Sequence, residues 1–128
     1  MRIDTLIDSI NLDTDENFDD ADVILFINDA IARINTECQA NFPFISETDE
    51  EYTALPDKWI MMLFKPFASA KIKQNDSSQF EYQDFYSIFD NNLNRFKQFY
   101  RIPQEYLDEE AVRKVGFIDF SQSPYRWS

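Results

Sequence analysis

A single glycine, Gly116, stands in the 128 residues of this chain. Glycine supplies positive φ and lets backbones approach closely, so folds built on tight turns or phosphate-cradling loops need several. Its scarcity argues against a Rossmann unit, a P-loop or a Gly-rich β-sandwich, and neither G-x-G-x-x-G nor a Walker sequence is present. Helix is what remains. In the run WIMMLFKPFASAKI, residues 59–72, Ile60, Leu63, Phe64 and Phe67 repeat at three-and-four spacing, and Trp59, Met61 and Met62 fill the other faces. A helix apolar nearly all round belongs in the middle of a core, and this one is too short for a bilayer, which takes about 20 apolar residues. Pro56 suits its start. Pro66, inside the pattern, should kink it and free a backbone carbonyl one turn earlier.

The other segments read as neighbours of that helix. Ile3, Leu6, Ile7 and Ile10 make a short amphipathic helix, and 11–17 a polar connection. Asp13, Asp15 and Asn17 alternate as in the first half of a calcium loop. Phe18, however, stands where the turning glycine belongs and Ile24 where the bidentate glutamate belongs, so a solvated turn is expected and no metal. The helix over 20–41 has Asp19 as cap, Asp22 three residues on and Phe18 placed to staple onto Val23. Its stripe is Ile24, Ile27, Ile31, Ile34 and Cys38, with Ala30 and Phe42 alongside. Residues 44–54 read as an acidic, solvated loop. The central helix covers 56–73. A third long helix over 80–100 sets Tyr82, Phe85, Phe89, Phe96 and Phe99 on or beside one face, with Ile88 and Leu93 filling in, an aromatic stripe of core type. The expected fold class is all-α: a small helical bundle with three long helices, a short N-terminal helix and an extended C-terminal arm. The organisation is an N-terminal segment 1–17, a helical bundle 18–101 and a C-terminal arm 102–128.

Histidine is absent, which removes the commonest general base and metal ligand together. Cys38 is the one cysteine, so no intrachain disulfide forms, and a buried structural thiol is the reading that fits. No catalytic residue and no cofactor are expected; an enzyme would need Glu81, Asp84 and Asp90 gathered in a pocket. Without a disulfide framework or a secretory leader, the expectation is synthesis in a reducing cytosol and no membrane contact. The net charge of −12 is unevenly spread, with 15 acidic and 2 basic residues in 1–57. Such a surface repels a phosphate backbone, so specific nucleic-acid binding is disfavoured.

Past Ile102-Pro103 the pattern changes. Residues 104–114 can hold one short helix, and after Gly116 comes FIDFSQSPYRWS. Phe117, Phe120, Tyr125, Arg126 and Trp127 have the composition of an interface hot spot. They either dock on a partner or fill a groove of their own bundle; both bury the same rings.

The capped helix DDADVILFINDAIARINTEC, the helix ALPDKWIMMLFKPFASAKIK with its leading proline, and FYSIFDNNLNRFKQFY with its extended tail together resemble the head–tail connector (adaptor) proteins of tailed bacteriophages. The resemblance covers residues 18–128; the segment 1–17 and the strong acidity have no counterpart in it. It implies a non-enzymatic structural subunit of the virion, made in the host cytoplasm and placed at the head–tail junction. Its partners would be the portal protein, other connector or tail subunits and copies of itself in a homo-oligomeric ring, with DNA passing nearby without specific binding. On that resemblance Phe117, Phe120, Tyr125, Arg126 and Trp127 become partner-binding residues. An acidic bore suits such a ring, because an attractive one would hold the genome in place. The alternative is a soluble acidic regulator or inhibitor that engages a basic protein surface; it would be a monomer rather than a ring.

Overall fold

The computed structural model describes residues 1–75 and 79–108. Among them the chain is mostly helical and contains no strand, so the fold is all-α. Helix α1 spans Ile3–Thr14 and α2 spans Asp20–Cys38. Helix α3, residues 57–75, starts as an α-turn (Asp57–Trp59), widens into a π-helical turn (Ile60–Phe64) and continues as α-helix (Lys65–Asn75). Helix α4 spans Gln79–Phe99, and a 3₁₀ turn follows at Gln104–Tyr106. Helix α3 packs against each of the other three, and Ile60, Leu63, Phe64, Ala68 and Ile72 on it are fully buried.

The π turn comes immediately before Pro66. In a regular α-helix the proline ring would press on the carbonyl of residue 62 and leave it without a donor. The wider turn relieves the clash. The donor comes from a neighbour: Asn92 on α4 gives its Nδ2 hydrogen to the Met62 carbonyl at 2.8 Å. Helix α3 is not buried all round, however. Met61 and Met62 are only partly covered.

Helix α1 belongs to the same core. Its Ile3, Leu6, Ile7 and Ile10 are buried, and it runs four residues into the expected polar connection before Asp15 turns it off with φ 55°. Asp19 stands at the N-cap of α2, but its carboxylate makes no cap bond, and the ring of Phe18 packs edge-on against Phe26 at 6.0 Å. The buried stripe of α2 is Val23, Ile27, Ala30, Ile31 and Ile34; Ile24 and Cys38 sit at its margin. Gln39, with φ 52°, ends the helix three residues short of the expected stop.

Two asparagines then reel in the following segment. Asn35 donates to the Phe42 carbonyl at 3.2 Å and accepts from its amide at 2.8 Å. Asn28 does the same for Ile45, at 2.9 and 2.8 Å. The spacings are compatible: two helical turns from 28 to 35 advance about 10.5 Å, and three residues such as 42 to 45 can advance about 10 Å when the chain is extended. Each planar amide satisfies one backbone donor and one acceptor, as a neighbouring strand would. This anchors Phe42 and Ile45 in the core. Further on, Tyr52, Ala54 and Leu55 are buried too, with the Tyr52 hydroxyl donating to the Pro43 carbonyl at 2.8 Å. The stretch read as a solvated acidic loop therefore contributes Ile45, Tyr52 and Ala54 to the core, while Phe44, Ser46, Glu47, Asp49, Glu51 and Thr53 are exposed.

Helix α4 lies antiparallel to α3. Trp59 meets Phe96 and Tyr100 with centroids 5.2 and 6.2 Å apart, while Phe67 meets Phe89 at 4.9 Å and Tyr86 at 6.2 Å. The inward stripe is Tyr82, Tyr86, Phe89, Leu93, Phe96 and Tyr100, at alternating spacings of four and three. Phe99, 72% exposed, and Ile88, 47% exposed, lie off it, contrary to the sequence expectation. Past α4 the chain returns to the bundle: Leu107 bridges Ala40, the Asp108 amide donates to the Gln39 carbonyl at 2.9 Å, and Tyr106 packs on Phe42. The part of the expected 104–114 helix that is described is only one 3₁₀ turn.

Candidate functional site

The residues singled out by the sequence, Phe117, Phe120, Tyr125, Arg126 and Trp127, lie outside the described residues. What the described residues offer is a surface with two features. One is an open groove of about 270 Å³ between α3 and α4. Met61 and Met62 on the π turn and Pro66 form one wall, Phe85 and Ile88 the other, and Asn92 lies at the base. Across its rim Lys65 pairs with Asp13 of α1 at 3.0 Å. The groove exists because α4 carries apolar residues on two faces and only one can meet the core. The sequence signal for it was the surplus of apolar residues at positions 85, 88 and 99, which a single stripe cannot absorb.

The other feature is charge. Cations of the second half neutralise acids of the first across the helix seams. Lys65 takes Asp13, Lys97 takes Glu37 at 2.9 Å, and Lys73, nearly buried, stands 3.7 Å from both Glu16 and Glu81. The hydrogen bond from Lys97, with Arg33 assisting, holds the Glu37 carboxyl below its ordinary range. The hydrogen bond to the Tyr86 hydroxyl raises Arg33 above its own. Asp15, Asp19, Asp20 and Asp22, at the α1–α2 turn and the start of α2, are exposed and make no ion pair with described residues. The positive end of the α2 dipole favours the last three, which is why the fold can carry them so close together.

Chemistry of other kinds has little to stand on among the described residues. Glu81, Asp84 and Asp90 are exposed, and none of them lines the groove or the smaller concavity of about 90 Å³ formed by Arg33, Phe67, Lys71, Tyr82 and Tyr86. No three metal-ligating side chains come together there. Burial pushes the Cys38 thiol up to about 11, so at neutral pH it is a protonated packing group. No helix among the described residues is long and apolar enough to cross a membrane. In comparison with known proteins, no family model, no curated protein and no solved structure matches the chain.

Proposed function

We propose that the chain is a non-enzymatic structural subunit of a phage head–tail connector ring. In this reading a bundle of three long helices and a short N-terminal helix forms the ring wall, and an arm carries the aromatic residues 117–127 outward. Because residues 102–108 lie on the bundle, such an arm begins past Asp108. The observation that carries the reading is the acidic surface of Asp15, Asp19, Asp20 and Asp22, exposed and without an ion pair among the described residues, on an all-α body that also bears an open apolar groove. A bore lined by such carboxylates repels passing phosphates, and the groove gives subunits or a portal something to hold. The partners are the portal protein, other connector or tail subunits and further copies of the chain; the place is the virion's head–tail junction, after synthesis in the host cytoplasm.

Co-expression with the portal protein of the same phage tests this. The expected result is co-purification and a ring by negative-stain electron microscopy, while the isolated chain fails to retain duplex DNA at physiological salt. Tight, salt-sensitive retention of DNA would remove the bore argument. A strict monomer that ignores the portal and binds a basic protein surface would favour the acidic-regulator reading instead.

A further inference from the structure

We propose that the groove between α3 and α4 seats the aromatic segment 117–127 of a second copy of this chain. The inference rests on the ring-subunit reading for its choice of a second copy, and on the groove itself for the rest. The walls are apolar yet open, with Ile88 47% exposed and Phe85, Met61 and Met62 partly covered. Methionines reshape around an incoming ring more readily than branched side chains do, and single π turns are frequent at functional sites. A pocket of this size takes one or two aromatic anchors, and the chain offers Phe117, Phe120, Tyr125 and Trp127 close together.

Charge permits the same occupant. Residues 1–108 carry 21 acidic and 9 basic residues, whereas the segment 117–127 carries one of each, Asp119 and Arg126. The body that receives it is strongly anionic, and a neutral segment docks there without the like-charge repulsion that two such bodies meet. Asp84, exposed one turn before Ile88, offers a carboxylate to Arg126.

Geometry favours a neighbour over the same molecule. Asp108 is fixed beside Gln39 at the end of α2. On α4 the groove residues Phe85 and Ile88 lie about 100° and about 160° round the helix from Tyr86, which contacts Arg33 of α2. The groove thus opens on the side of α4 turned away from that contact. The nine residues from 108 to 117 span at most about 30 Å, and a return in the same molecule would have to round the bundle within that length. A second copy brings its groove alongside. The contact is head-to-tail, the kind that closes into rings.

A complementation experiment with full-length chains decides it. Ile88→Asp blocks the groove and keeps the segment; Phe120→Ala with Trp127→Ala strips the segment and keeps the groove. By sedimentation velocity the wild type should self-associate, and each variant alone should associate about tenfold more weakly or worse, the effect of losing a central anchor. An equimolar mixture should recover one good contact per pair and stop at dimers. Helical circular dichroism checks that Ile88→Asp is folded, and the milder Ile88→Ser replaces it if not. A wild type that stays monomeric, variants that associate normally, or a mixture no better than its parts each overturn the proposal. Failure here with portal association intact would remove the groove contact and leave the connector reading standing.

Discussion

Asn92→Ala asks whether α4 supplies the hydrogen that Pro66 cannot. The Met62 carbonyl receives Asn92 Nδ2 at 2.8 Å in a partly buried setting. A net hydrogen bond of this kind is worth about 0.5–1.5 kcal/mol, and a carbonyl left half-buried without a donor adds to the loss. Alanine's higher helix propensity returns about 0.5 kcal/mol. The expected net destabilisation is about 1 kcal/mol, which urea unfolding followed by helical circular dichroism resolves as a shift in midpoint at constant slope. The decisive quantity is the coupling with residue 66. In a Pro66→Ala background that residue has an N–H of its own, the helix can close on Met62, and the Asn92→Ala penalty should vanish, leaving only the propensity gain of about 0.5 kcal/mol; the difference between the backgrounds far exceeds the scatter of about 0.3 kcal/mol usual for additivity. Equal penalties in the two backgrounds would refute the reasoning, because Asn92 would then be stabilising something other than the carbonyl that proline leaves open.

Two further predictions concern the core and its thiol. Leu63 is fully buried on α3, so Leu63→Ala should cost about 2–5 kcal/mol in the same unfolding assay; a loss below about 1 kcal/mol would show that the core closes up around the gap. Cys38, with its thiol pushed up to about 11 by burial, should react slowly with a disulfide reagent at pH 8 in the native protein and rapidly once unfolded. Its folded value is raised, so the neutral thiol's contribution to stability is complete below the unfolded value of about 8.5 and fades as pH climbs toward the folded one. Rapid native labelling at pH 8 would contradict that burial.

The helical class and the central place of α3 were legible because Ile60, Leu63, Phe64 and Phe67 form a strong periodic signal in a stretch with no competing pattern. Helix α4 was harder. Phe85, Ile88 and Phe99 are as apolar as Phe89 and Phe96, and a helical period fits either set; only the position of Trp59 and Phe67 on α3 decides which faces inward. The α3 wall of the groove was hidden, since Met61 and Met62 look like core in the sequence and are only partly covered in the fold. The buried residues of 42–55 have no period at all. Phe42 and Ile45 are held by hydrogen bonds from Asn35 and Asn28, 7 and 17 residues away, and nothing local announces them. The carbonyl behind Pro66 was foreseeable from the chemistry of proline, but its partner on α4 was not.

The paired asparagines bear on how this architecture can change over time. Apolar side chains in the core are exchangeable for others of similar bulk, so a chain with the same fold can lose every trace of likeness there. The amides of Asn28 and Asn35 have no such latitude. Aspartate lacks the donor, and glutamine reaches one methylene too far for the register between helix and loop. A distant cousin would therefore betray itself by two asparagines two helical turns apart, followed by a bulky apolar pair three residues apart, long after the remainder had drifted beyond recognition.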